Sequence, residues 1–182
     1  MTSTNISQYW MPNDDLCYVP ADVVKRTPKA LVLSHNGGSE KTIMIEDASP
    51  VVSSTINNDY SNLETLEDFS EPAILYQIRQ RFLRNFIYTY VSNIVIAVNP
   101  YQLLFRQADG VSIYSKEVVQ KYEDHLSLNT LDKCEPHVFG VAARAFLGMC
   151  STGKRQSVLI SGESGAGKTV STKLIMTCMQ SE

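Results

Sequence analysis

Residues 158–169 constrain this chain more than any other stretch. The apolar run Val158-Leu159-Ile160 leads into Gly162-Glu163-Ser164-Gly165-Ala166-Gly167-Lys168-Thr169, a full match to G-x-x-x-x-G-K-[ST]. A short buried strand that enters a glycine-rich turn and then a helix is the context a phosphate-binding loop requires. Gly162, Gly165 and Gly167 allow positive φ, so that successive N–H groups converge on an anion at a helix N-terminus. Lys168 is spaced to reach β- and γ-phosphates, and Thr169 to offer a hydroxyl to the Mg²⁺ that bridges them. Glu163 reads as a loop side chain facing neighbouring structure, because phosphoryl transfer depends on positioning and charge stabilisation more than on a general base.

Composition narrows the class. A chain of 182 residues, 43% of them apolar, can hold one domain, or one small domain and part of a larger one. A net charge of −3 gives no sign of a nucleic-acid-binding surface. Cys17, Cys134, Cys150 and Cys178 form no C-x-x-C pair, so reduced thiols in a cytosolic protein are expected rather than a metal site or disulfide framework. The first ten residues are polar and lack a basic region, unlike a signal peptide. The longest strongly apolar run, residues 94–98, is too short to insert in a membrane.

The chain divides near residue 50. Leu16-Cys17-Tyr18-Val19, Ala30-Leu31-Val32-Leu33 and Thr42-Ile43-Met44-Ile45 are short β-like runs between turn-forming clusters, the pattern of a small antiparallel barrel or meander with Trp10 in its core. The polar residues 49–61 read as a connector. Ser70-Glu71-Pro72 then signals a helix whose apolar face is Ile74, Leu75, Ile78 and Phe82, with Gln77, Arg79, Gln80, Arg81 and Arg84 on a solvated or domain-contacting face.

Residues 94–98 are expected as a buried strand that stops at Asn99-Pro100. Helices are expected from Ser115 to Tyr122 and from Pro136 onward, the second with Val138, Phe139, Ala142, Ala143, Phe146 and Met149 as its stripe. After the glycine-rich loop, Val170, Leu174, Ile175 and Cys178 mark the buried face of a last helix. His137, with no nucleophile beside it, reads as a structural histidine at a helix start. Little sequence follows Thr169, and no second strand carrying a metal-shell Asp is present there. The expectation is therefore an α/β chain whose large domain is an incomplete P-loop NTPase, part of a mixed, mostly parallel sheet with flanking helices.

Motifs flanking the loop carry a family resemblance. Leu66-Glu67-Asp68-Phe69-Ser70-Glu71-Pro72-Ala73-Ile74-Leu75, Ile87-Tyr88-Thr89-Tyr90, Ile96-Ala97-Val98-Asn99-Pro100-Tyr101 and Pro136-His137-Val138-Phe139 occur in that order before the loop. With Ser171-Thr172-Lys173-Leu174-Ile175-Met176 after it, they closely resemble the N-terminal part of the myosin motor head. Residues 8–50 are similar in position to the SH3-like β-barrel that precedes the head in many myosins. The resemblance implies a barrel at 8–50, a linker at 51–62 and the first part of the motor domain at 63–182, truncated after the P-loop helix.

The same resemblance implies site roles. Asn99, Pro100 and Tyr101 look like the start of the purine-binding loop that lies against adenine. The family's next tyrosine falls here on Gln107, and an insertion over residues 103–110 transfers the adenine-facing role to Tyr114. Val170 stands where the family usually has Glu. The ligands implied are ATP and Mg²⁺, the partner of the complete motor is the actin filament, and the location is the cytoplasm and cytoskeleton. No nucleic-acid partner and no membrane insertion are expected. No catalytic residue is assigned. The resemblance implies the ATP-binding portion of an actin-based motor, which in its complete form hydrolyses ATP to move on actin, and this chain alone is expected to be inactive as an ATPase. The alternative is a truncated, non-catalytic binding module without motor activity; continuation of the reading frame past Glu182 separates the two.

Overall fold

The computed structural model describes residues 8–180. They fall into two compact units that divide between Arg81 and Phe82.

The first unit begins with four antiparallel strands in the order β1 (Gln8–Asn13), β2 (Cys17–Arg26), β3 (Ala30–Ser34) and β4 (Glu40–Met44), curled into a half-barrel. Alternation places Met11, Val19, Ala21, Leu31 and Leu33 in one apolar cluster. The β1–β2 turn is fixed by Asn13, whose Oδ1 accepts from the backbone N–H groups of Asp15 (3.0 Å) and Leu16 (2.8 Å). β1 carries no strand signal in the sequence because Pro12 interrupts it. The proline is tolerated because β1 is an edge strand, with Pro12 opposite Tyr18 near its end.

The connector is more ordered than its composition suggests, and contains α1 (Ser53–Asn57). Helix α2 (Glu71–Leu83) begins at the expected Ser-Glu-Pro signal but buries a different face. Its buried residues are Pro72, Ala73, Gln77 and Arg81, whereas Leu75 is exposed and Ile74, Ile78 and Phe82 are half-buried. Of the face expected to be solvated or domain-contacting, Gln77 and Arg81 are thus not solvated but buried, and the cause is the connector's backbone. Gln77 Nε2 donates to the carbonyls of Thr55 and Asn58, the latter at 3.0 Å, while Oε1 accepts from Tyr60 N–H at 3.3 Å. Arg81 donates to both Asp59 carboxylate oxygens, at 3.0 and 3.1 Å. A buried irregular segment needs polar partners, and α2 supplies them. Trp10 is buried, but outside the strands' own apolar cluster expected for it: it packs with Val51 and Ala73, its ring 5.3 Å from that of Tyr76, because the connector and α2 cover its side of β1.

The second unit opens with an antiparallel hairpin, β5 (Tyr88–Val91) and β6 (Ile94–Ala97), followed by α3 (Lys116–Ser127), α4 (Val138–Thr152) and α5 (Lys168–Met179). Ser115 caps α3 by accepting from Val118 N–H at 3.4 Å. α4 starts two residues later than Pro136 suggests, with His137 as its cap, and ends at Gly153, whose φ of 65° forms a left-handed stop. Tyr88, Val118, Val119, Tyr122, Phe139 and Ile175 belong to one core cluster.

Two strand expectations are corrected. Among the described residues the only ladder of this unit is the antiparallel hairpin, and Ile94 at its edge is 67% exposed. Residues 158–161 belong to no strand, and Leu159 is 93% exposed. A strand exists only where a neighbour takes its backbone hydrogen bonds, and no described residue does so for 158–161. Val170 also lies outside the buried face of α5, which Ile175 and Cys178 form. Met149 is exposed and Phe146 only half-buried on α4. No helix among the described residues is long and apolar enough to cross a membrane.

Candidate functional site

The glycine-rich loop leads from residue 161 to the first residue of α5, and its three glycines all have positive φ. Gly162, Gly165 and Gly167 have φ of 154°, 81° and 92°. Gly167 is the residue immediately before α5, so the loop delivers its backbone to a helix N-terminus of twelve residues. A Cβ on Gly162 would come within 3.1 Å of the Ala166 Cβ, and one on Gly165 within 3.3 Å of the Tyr101 hydroxyl. The turn is closed by Ala166 N–H donating to the Glu163 carbonyl at 3.2 Å.

Lys168 bends back over this turn. Its Nζ donates to the Gly162 and Glu163 carbonyls, both at 2.7 Å, which sets a full positive charge at the mouth of the loop. Thr169 follows on the first turn of α5 with an exposed side chain. Ser164 lies in the turn and Ala166 beside it, both exposed. Positive-φ backbone, one ammonium and one hydroxyl in eight consecutive residues are the donor types that a phosphate group and its cation take.

The segment after β6 reaches the same turn. Asn99 Nδ2 donates to the Gly165 carbonyl at 2.7 Å, and its Oδ1 accepts from Tyr101 N–H at 3.0 Å. Tyr101 Oη donates to that carbonyl at 3.4 Å, from a residue whose φ is 52° and whose ring is exposed. The structure thus brings Asn99 and Tyr101 to Gly165, with Pro100 between them. Sequence reading missed this link, because nothing in a chain marks two residues sixty-six positions apart as partners.

Tyr114 occupies different surroundings. Its hydroxyl lies 3.3 Å from that of Tyr88, and its ring centre is 5.8 Å from that of His137. The residues before it fold as a small loop closed by the Phe105–Ser112 bridge and the ion pair of Arg106 with Asp109. Val111 N–H holds the Asp109 carboxyl below its usual range, with Arg106 adding to the effect. Burial raises the hydroxyl pKa of Tyr88 and of Tyr122, and for Tyr88 the Tyr114 hydrogen bond adds to it. His137 is 5% exposed; its Nδ1 accepts from Phe139 N–H at 3.1 Å, and burial pushes its pKa down to about 3. A neutral imidazole capping a helix is a structural role, as its sequence context suggested. Among the described residues no group of three His, Cys, Asp or Glu could hold a metal ion.

The family description "Myosin head (motor domain)" matches residues 58–181, which is more than half of the chain. The chain belongs to the myosin head family. Among myosins, it is 35% identical to the Myosin-H heavy chain of Dictyostelium discoideum over 170 residues, covering 92% of this chain and 9% of that protein. It is 33% identical to the Myosin type-2 heavy chain 1 of Schizosaccharomyces pombe, covering 92% of this chain and 10% of that one. For Myosin-9 of Arabidopsis thaliana the identity is 32%, over 93% of this chain and 10% of that protein. The chain therefore spans at most a tenth of the length of these myosins.

Proposed function

We propose that residues 162–169 bind the phosphates of Mg²⁺-ATP, as the nucleotide-binding part of an actin-based motor. The carrying observation is the loop itself: three positive-φ glycines, a helix that starts at Lys168, and an ammonium drawn across the turn. Lys168 contacts phosphate oxygens in exchange for the two carbonyls it now holds, and Gly162, Glu163, Ser164, Gly165, Ala166 and Gly167 supply the backbone cradle. Thr169 would hold Mg²⁺ through its hydroxyl, and a bound cation would supply charge neutralisation to the phosphates. Pro100 and Tyr101, which follow Asn99, provide the base side of the site together with Tyr114. Residues 8–50, 51–62 and 63–182 serve as barrel, linker and motor portion. In the whole motor the partner is the actin filament and the setting is the cytoplasmic cytoskeleton.

Calorimetric titration with Mg²⁺-ATP tests this reading. Lys168→Ala deletes a charge-assisted phosphate contact of a class worth roughly 1.5–3 kcal/mol, so ATP should bind about tenfold to a hundredfold more weakly. An unchanged affinity in a folded variant would remove Lys168, and the loop with it, from the site.

A further inference from the structure

We propose that Asn99 is a positioning residue for the glycine-rich loop: its amide holds the Gly165 carbonyl outward, and it acts on phosphate through that peptide rather than by touching the base. The proposal rests on the nucleotide-binding reading above. It departs from the base-facing role that the sequence resemblance gives the segment beginning at Asn99.

The two ends of the Asn99 amide are assigned by their partners. Tyr101 N–H can only donate, so the atom 3.0 Å away is Oδ1; the Gly165 carbonyl can only accept, so the atom 2.7 Å away is Nδ2. A reversed amide would face donor with donor and acceptor with acceptor. The turn formed with Tyr101 therefore fixes the side chain, and the remaining N–H is aimed at one carbonyl. Tyr101 Oη adds a second, longer bond to the same oxygen at 3.4 Å.

What this bond controls is the orientation of the peptide between Gly165 and Ala166. In a trans peptide the C=O and N–H point in opposite directions. With the carbonyl drawn toward Asn99 and Tyr101, the Ala166 N–H turns to the inside of the loop, where it donates to the Glu163 carbonyl at 3.2 Å. Gly165 has a φ of 81° and no Cβ, so the residue itself offers little resistance to rotation of that peptide. A flip would carry the oxygen to the inside, the side on which Lys168 already neutralises the Gly162 and Glu163 carbonyls. Negative partial charge would then stand where a phosphate is to bind.

A base contact and a loop latch differ in which ligands they affect. Inorganic pyrophosphate has no base, so a base contact is silent to it. The test is calorimetric titration of the chain and of Asn99→Ala with Mg²⁺-ATP and with Mg²⁺-pyrophosphate. Both ligands should weaken by the same factor, roughly threefold to tenfold, the net worth of one such hydrogen bond. The Ala166 amide cross-peak should shift in a proton–nitrogen NMR spectrum while those of α3 stay in place, a local signature that general destabilisation would not give. Loss of ATP affinity alone, or no change for either ligand, overturns the proposal. Should Asn99→Ala fail to fold, Tyr101→Phe carries the test, since it removes only the longer bond and keeps the ring. It should weaken both ligands equally and less, and any other pattern counts against the latch. An unmodified chain that binds neither ligand overturns the nucleotide-binding reading itself, which makes the two failures distinct.

Discussion

His137 sits between α3 and α4 in the second unit, stacked on Tyr122 at 5.5 Å and edge-on to Tyr88 at 4.7 Å. Its Nδ1 serves as the acceptor that caps α4, so protonation removes both the cap and the neutrality that its burial requires. The sign of the resulting pH dependence follows from its two proton affinities. Unfolded, the ring takes a proton below its ordinary value of 6.5; folded, it resists until about pH 3. Between those limits the unfolded state binds more protons, so stability is fully present above pH 6.5 and falls as pH drops, by up to about 1.4 kcal/mol per unit. His137→Asn keeps an oxygen that can cap the helix and removes the titration. Its melting temperature should therefore fall less steeply with acid than that of the parent chain. Parallel melting curves from pH 7 to pH 4 would refute this. Asn99 makes a related point about legibility at the same scale. The sequence identifies the loop glycines, because each is demanded by its own local backbone. It identifies Asn99 only as part of a motif, because its bond to Gly165 exists in space and not in spacing.

At the scale of elements, α2 separates what periodicity determines from what it leaves open. The helix and its start were legible, since Ser70-Glu71-Pro72 is a local signal. The buried face was not, because an apolar stripe is a rule about burial against apolar neighbours, and the neighbour here is the polar backbone of residues 55–60. Gln77 satisfies three groups of that segment: the Thr55 and Asn58 carbonyls and the Tyr60 N–H. Gln77→Met is close in length yet can neither donate to those carbonyls nor serve Tyr60. Leaving such groups unpaired should cost roughly 2–4 kcal/mol. A urea titration should show this as a lower midpoint with an unchanged slope, and a loss below half a kcal/mol would mean that water replaces the amide without cost. β2, β3 and β4 were legible for the opposite reason: their apolar cores and turn residues are local, and their neighbours follow directly in sequence. Residues 158–161 were misjudged because a strand is a property of a pair, and sequence reading supplied only one member.

The whole chain carries this unpaired character on one surface of the second unit. A groove of about 730 Å³ there is lined by Ile94, Val95 and Ala97 from β6, by Val141 from α4, and by Val158 and Leu159 ahead of the loop. Ile94 and Leu159 are large, apolar and mostly exposed, and they stand beside backbone that belongs to a ladder edge or to none. Exposed apolar surface next to unpaired strand backbone is a template for association with further copies. A net charge of −3 over 182 residues provides little repulsion against it. The 182-residue chain should therefore self-associate in a concentration-dependent way, and Ile94→Thr with Leu159→Lys should suppress this. Both side chains are too exposed to contribute much to the core, so the double variant should melt within a few degrees of the parent. Sedimentation velocity across a concentration series distinguishes the outcomes. A parent chain that stays monomeric throughout, or a double variant that associates as strongly as the parent, would place the cause elsewhere on the surface.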